Sequence, residues 1–427
     1  MPKKSVHYYL WKQHAKRGEK IEGEISWVEN RKGGNFRQIF QKRKNTNLNT
    51  RKKVVQSDTN RRRVKQMIVE GVERIVLIRL IARERGLIME PCRHRCVACF
   101  KMFNRRQHLV EHMKISHHSL HQPRCGVCFK HCKSFESVRE HLNVPDHLFK
   151  GDCKSIFSER GCTLCLRIFE DATALADHKN KCHLSAPLPL VIFALDIYSS
   201  QVTPTRTLGV NTRLKAVAID CEMVGGGDDG STDLCASICL VDEDEHVIFS
   251  THVQPQLPVT DYRHTLTGLT EEDLKNGMRL QDVREKVLAI LCGGHNDGAG
   301  RLLLVGHDLR HDMKCLKLQY PSHLLRDTAK YVPLMKTNLV SQSLKYLTRS
   351  YLGYKIQCGK HEPYEDCVAA MRLYKRMRDQ EHGKAEEEEE EGDGLNSWKQ
   401  SDLEKMKPEE LYHNSTSEYR CWCLDRR

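Results

Sequence analysis

Hydrophobic positions divide the chain into stretches of different period. Residues 1–66 are polar with little periodicity, so this segment is expected to be disordered. Met67, Val69, Val72, Ile75, Val76, Ile78, Leu80 and Ile81 then follow at helical spacing and predict a largely apolar helix over 67–91. A Cys/His-rich region covers 92–184. Residues 185–213 hold Pro187, Pro189 and Pro204 around an apolar patch and read as a linker. From 214 to 380 strand-like and helix-like patterns alternate. Ala216 to Ile219 is an unbroken apolar run of the buried-strand type, and 236–253 reads as two strands around an acidic turn. Helices are expected at about 270–276, where Thr270 and Asp273 form an N-terminal cap, and at about 281–292. Leu302 to Val305 is a second apolar strand, followed by Gly306 and a helix. Pro363 opens a further helix whose core face is Cys367, Ala370, Met371 and Tyr374. The alternation predicts an α/β domain. Beyond it, six consecutive glutamates from Glu386 to Glu391 mark 381–427 as an acidic, largely disordered tail.

Charge changes the picture at one end. The 427-residue chain carries a net +13, yet residues 1–66 alone hold 19 basic and 5 acidic residues, a net of +14. The excess therefore sits in one arm, in clusters such as Lys42-Arg43-Lys44 and Arg61-Arg62-Arg63, which suit phosphate backbones or nuclear import. No run of about 18 apolar residues exists, so no membrane partner is expected. The N-terminus lacks an apolar leader, so the chain is expected inside the cell, in the nucleus with the nucleolus included. Nineteen cysteines in such a chain argue for thiols and metal ligands over disulfides.

Twelve Cys and His positions repeat one spacing. Cys96-x2-Cys99-x12-His112-x4-His117 is the first set. Cys125-x2-Cys128-x12-His141-x5-His147 is the second, and Cys162-x2-Cys165-x12-His178-x4-His183 the third. Two thiolates on a hairpin and two imidazoles on a helix complete a tetrahedral Zn²⁺ site, and units this short need the metal's binding energy to fold. The region resembles the C2H2 zinc-finger family, with three Zn²⁺ ions implied. The helix positions that read bases in such fingers are Arg105, His108 and Glu111, then Ser134, Ser137 and Glu140, then Asp171, Ala174 and Asp177. The third set suits a polyanion poorly, only the first offers an arginine, and the links between fingers are irregular. Contact with RNA by shape, or with a protein, fits better than groove reading.

Acidic residues carry the remaining chemistry. Asp220 and Glu222 end the first apolar strand two residues apart, hence on one face. Converging carboxylates in an apolar setting require a cation, and oxygen ligands select Mg²⁺ or Mn²⁺. In "GHDLRHD", Asp308 stands where an N-cap would be, whereas Asp312 lies inside the helix with no capping role. In "HEPYED", His361 precedes the helix and Asp366 borders its core face.

Taken together, Asp220 and Glu222 in "AIDCEMVG", Asp312 in "GHDLRHD", and His361 with Asp366 in "HEPYED" resemble the DEDDh 3′–5′ exonuclease superfamily. The nearest branch holds RNA exonuclease 4 and the interferon-stimulated and apoptosis-enhancing nucleases. The match covers roughly 215–377. Glu362 excludes the sister pattern Tyr-x3-Asp, and "DYRHTLTGLTEEDL" looks like the family's segment between its first two motifs. The resemblance implies an RNase H-like mixed sheet flanked by helices over 214–380. It implies two Mg²⁺ or Mn²⁺ ions on Asp220, Glu222, Asp312 and Asp366, and His361 as general base. The implied function is 3′–5′ exonucleolytic hydrolysis of single-stranded nucleic acid, RNA first and DNA as the other substrate. The alternative is a zinc-finger binding protein whose nuclease-like domain grips strand ends without turnover.

The arm's charge yields a direct test. Deleting residues 1–66 is expected to flatten the dependence of log K on log salt for oligonucleotide binding, because fewer counterions are released. An unchanged slope, measured by fluorescence anisotropy at several salt concentrations, would remove the arm as a nucleic-acid contact.

Overall fold

Two short strands, β1 (His94–Arg95) and β2 (Met102–Phe103), pair antiparallel and present Cys96 and Cys99 to the helix Arg106–Ser116. The computed structural model of the chain describes residues 93–143, 152–188, 216–292, 301–382 and 394–426. All of them belong to one unit, Glu90–Arg427. The basic arm, the 67–91 helix, nearly all of the linker, His147 and the six-glutamate run lie outside the described residues. Two further small units follow the first, with helices at Phe135–Asn143, Cys153–Arg160 and Ala172–Cys182.

The main domain is a mixed sheet. Strand β3 (Ala216–Gly226) is its centre, antiparallel to β4 (Thr232–Val241) and parallel to β8 (Leu303–Gly306). Strand β5 (Val247–Gln254) continues the hairpin. The short strands β6 (Val259–Asp261), β7 (Met278–Arg279) and β9 (Leu325–Asp327) pair with β3, β5 and β8. Ala216 to Ile219 are apolar throughout because both faces of a central strand are covered. Period two decides what each face meets. Ala216 and Ala218 pack with the helix Pro363–Arg378 through Cys367, Ala370, Met371 and Tyr374. Val217, Ile219 and Cys221 pack with the helix Leu280–Leu291 through Val283, Val287 and Leu291. Asp220 and Glu222 continue the first of these sets, so alternation alone sends both carboxylates toward the 363–378 helix.

Local signals hold the connections. Thr270 and Asp273 form a reciprocal capping box on the helix Glu271–Lys275. The acidic turn of the hairpin is fastened to the 363–378 helix. Glu245 takes both arms of Arg372 at 2.7 and 2.6 Å, and Glu243 accepts from Arg378 at 2.7 Å.

The Cys/His units are built into this domain. Phe135, Val138, Leu142 and Leu166 share a core with Leu347, Tyr351 and Leu352. Glu136 accepts from the Tyr346 hydroxyl, Glu140 from the Thr337 hydroxyl, and Arg139 donates to the Ser350 carbonyl. Arg376 and Arg372 donate to the carbonyls of Cys182 and Ser185.

The tail departs from the sequence-based expectation. Residues 394–426 are ordered, with helices at Gln400–Leu403 and Pro408–His413. Leu395, Leu403 and Leu411 complete the core of the first Cys/His unit around Leu109, Val110 and Met113. Trp422 stacks on Tyr331 at 3.9 Å and meets Tyr374 edge-on. Asp425 forms a bidentate pair with Arg326 of β9, both bonds 2.6 Å and both residues buried, and also accepts from the Tyr374 hydroxyl. A few widely spaced leucines and one aromatic suffice because their partners lie on another part of the chain. Acidic composition describes only the run before them.

Asp425→Ala leaves Arg326 buried without its carboxylate and is expected to cost about 3–5 kcal/mol. Arg326→Met with Asp425→Leu is expected to recover most of that loss. Urea denaturation of the single and double variants checks both; a single variant as stable as the parent would show that the pair does not hold the tail.

Candidate active site

Three elements bring four carboxylates together. Strand β3 supplies Asp220 and Glu222, the helix Arg310–Cys315 after β8 supplies Asp312, and the first turn of the 363–378 helix supplies Asp366. Glu222, Asp312 and Asp366 are buried and Asp220 is half-buried. Asp312 is steered by the Cys221 backbone N–H, which donates to its Oδ1 at 3.1 Å. Asp366 Oδ2 accepts from the Gln357 amide at 2.8 Å, while its Oδ1 is buried with no hydrogen-bond partner.

Burial and mutual repulsion act in one direction. Asp220 is held well above the usual carboxylate range by burial, then by Asp366, Asp312 and Glu222. Glu222 is pushed up to about 8 by burial and by Asp366 and Asp312. Asp366 rises to about 7 through burial, opposed by the Gln357 hydrogen bond. Burial also raises Asp312. Four such groups cannot all be ionised side by side unless a cation neutralises them. The orphaned Asp366 oxygen and the all-oxygen donor set fit hard divalent ions of the Mg²⁺ or Mn²⁺ class.

His361 stands at the rim. Its backbone N–H donates to the Leu266 carbonyl at 2.7 Å, and its Nδ1 lies 4.0 Å from Glu222 Oε1. About a third of its side chain is exposed, so the ring faces both the carboxylates and solvent. Burial, and then Lys345, lowers its pKa below the ordinary histidine value, which keeps the imidazole neutral.

Asp308 behaves differently from its expected capping role. It has φ 57° in the left-handed region, and its side chain caps nothing. Its carboxylate faces His311 and Lys330 at the surface, away from the group above.

The exonuclease family model matches residues 217–374, a span that carries all five of these residues. Residues 217–374 form an exonuclease domain. The chain is 39% identical over 161 residues to RNA exonuclease 4 of Xenopus tropicalis, covering 38% of this chain and 37% of that protein. It is 37% identical over 166 residues to RNA exonuclease 4 of Saccharomyces cerevisiae, covering 38% of this chain and 55% of that protein. The chain thus spans between a third and just over half of the relatives it matches. Among solved structures, the Pan2 catalytic unit of Neurospora crassa is similar at 21% identity and TM-score 0.34, covering 40% of this chain and 28% of that one. The mixed sheet flanked by helices agrees with the expected RNase H-like architecture.

Around the exonuclease domain, the Cys/His units gather three groups, and in the first and third the fourth member differs from the one the spacing suggested. The first is Cys96, Cys99, His112 and His118. His117 takes the left-handed C-cap conformation and lines a crevice with Leu395 and Thr416. The second is Cys125, Cys128, His141 and Cys153, at the start of the next helix. The third is Cys162, Cys165, His178 and Cys182, while His183, one residue past the helix, packs against Gly353. Ligand atoms within each group approach as a tetrahedral metal would hold them. Cys99–His112 is 3.2 Å, Cys128–His141 3.3 Å, Cys165–His178 3.2 Å and Cys162–Cys182 3.8 Å. Bond lengths of about 2.0–2.3 Å around Zn²⁺ set edges of about 3.3–3.8 Å.

Sequence reasoning missed Gln357, which holds Asp366 from a loop residue with φ 54°. No motif announces it; a lone glutamine gains meaning only from its partner. It yields a test. Gln357→Leu is expected to weaken Mn²⁺ binding by about 10–100-fold, the usual cost of losing a group that orients a ligand. Asp308→Ala is expected to leave both Mn²⁺ binding and stability within about 0.5 kcal/mol. Calorimetric Mn²⁺ titration and urea denaturation check the pair, and the reverse ranking would relocate the metal site toward Asp308.

Proposed function

We propose that the exonuclease domain hydrolyses single-stranded RNA stepwise from the 3′ end, with Asp220, Glu222, Asp312 and Asp366 holding two divalent ions. The observation that carries this reading is the convergence of four raised carboxylates, one buried oxygen left without a partner, beside a neutral, part-exposed histidine. RNA is favoured over DNA because the relatives that match are named RNA exonucleases.

Divalent ions in such a site supply a polarised water and stabilise charge on the leaving oxygen. The chain's residues do the rest. Asp220, which feels the charges of Asp366, Asp312 and Glu222, would hold the ions together with Glu222 from the same strand and Asp366 from the helix, and Asp312, fixed by the Cys221 N–H, would complete the set. His361 accepts a proton from the attacking water, a role that a neutral imidazole near neutral pH suits. Its backbone bond to Leu266 sets the ring's place.

Incubation of a 5′-labelled RNA oligonucleotide with Mg²⁺ is expected to give a ladder that EDTA abolishes. Asp220→Ala is expected to lose both Mn²⁺ binding and cleavage. His361→Ala should keep Mn²⁺ and oligonucleotide binding while turnover falls by about 10²–10⁴-fold. Because the His361 pKa is lowered, the base form is lost only as pH falls below the ordinary histidine value of about 6.5. Activity should hold at neutral pH and decline on the acid side, and that decline should flatten in His361→Ala. A ladder of unchanged rate in His361→Ala would transfer the proton to another group; no ladder in the parent protein would leave only strand-end binding.

A further inference from the structure

The Cys-Trp-Cys near the C-terminus matches none of the three repeated spacings, yet the fold gives it partners. Cys421 and Cys423 come together with His121, from the loop after the first Cys/His unit, and His382, just past the 363–378 helix. Cys421 Sγ lies 3.3 Å from His382 Nε2, and Cys423 Sγ lies 3.3 Å from His121 Nδ1. The two imidazoles meet edge-on with centroids 5.0 Å apart. All four ligand atoms lie within 4.8 Å of one another.

These separations are those of the three Cys/His groups already described, where thiol and imidazole stand 3.2–3.3 Å apart. They are also close to the edges of about 3.3–3.8 Å that a tetrahedral Zn²⁺ imposes on sulfur and nitrogen ligands. We infer that His121, His382, Cys421 and Cys423 form a fourth zinc site, one that joins three remote segments of the chain. Two thiolates and two imidazoles select Zn²⁺ over the hard ions of the carboxylate site.

The surroundings are built to hold this group in place. Tyr419 donates its hydroxyl to the His121 carbonyl at 2.8 Å, and Trp422, between the two cysteines, is wedged on Tyr331. The Cys-x-Cys opens a 3-10 turn, Trp422–Arg426, with Trp422 in the core and both sulfurs beside the histidines. Each of the first three groups closes within one local stretch of about 20–30 residues. The fourth closes a loop of about 300 residues, from His121 to Cys423. A link across so long a loop removes more freedom from the unfolded chain than any local one. Its predicted effect is to lock the tail and the first Cys/His unit onto the end of the exonuclease helix.

Elemental analysis of the purified full chain tests this by difference. His382→Ala and Cys423→Ser are each expected to lose one zinc per chain relative to the parent. The double variant is expected to lose the same single ion, because both residues serve one site. Limited proteolysis supplies a second readout: the tail should be cut faster in either variant, while Trp398→Ala, exposed and outside the group, behaves as the parent. An unchanged zinc count in the single variants, or two ions lost in the double variant, would overturn the proposal.

Discussion

Burial of converging carboxylates is the constraint on which the exonuclease domain depends. Burial comes first in opposing ionisation of Asp220, Glu222, Asp312 and Asp366, the neighbouring carboxylates add to it at Asp220 and Glu222, and all four are shifted in the same direction. Apolar packing around them supplies the force that tolerates this. Ile219, Cys221, Leu304 and Leu309 close one side of β3, and Ala218, Cys367 and Met371 the other. The sheet is therefore a clamp that sets the carboxylates side by side, an arrangement that a divalent cation would stabilise.

That clamp explains why small residues recur at its closest approaches. Ala216, Ala218, Ala369 and Ala370 are all fully buried between β3 and the 363–378 helix, where larger side chains would hold the helix away. Asp366 reaches Asp220 only because this spacing is short. Register contributes as well. A bulge between Glu222 and Met223 shifts the pairing with β4 by one residue immediately after the second carboxylate, and the ladder then runs on to Gly226.

Legibility followed the range of the interactions. The strand β3, the capping box at Thr270 and the Pro363 helix are set by neighbours two to four positions away, and the sequence pattern shows them directly. Asp220, Glu222, Asp312 and Asp366 were legible because each sits at an anomalous place in such a pattern, a charge on an apolar face. The fourth members of the Cys/His groups were ambiguous at short range, since His117 adjoins His118 and Cys182 adjoins His183. What separates them is where each helix ends. His117 becomes the left-handed cap and turns outward, and His183 falls beyond the last turn. The tail was not legible at all. Leu395, Leu403, Leu411 and Trp422 are too far apart to form a period, and their partners at Leu109, Met113 and Tyr331 lie on distant parts of the chain.

The placement of the second Cys/His unit bears on what these units are for. Of the positions that would read bases, Ser134 is fully buried, Ser137 is bonded to it, and Glu140 is bonded to Thr337 of the exonuclease domain. In the third unit, Asp171 caps its own helix. In the first, the adjoining Arg106 and Gln107 are engaged by Glu404 of the tail. A helix whose outward positions already bind protein has no face left for a major groove. Glu140, unsuited to a polyanion, is instead suited to the Thr337 hydroxyl that it meets. In the second unit Glu140 both argues against base reading and docks the helix, and Phe135, Val138 and Leu142 share a core with Leu347, Tyr351 and Leu352, so this unit is part of the framework of the exonuclease domain.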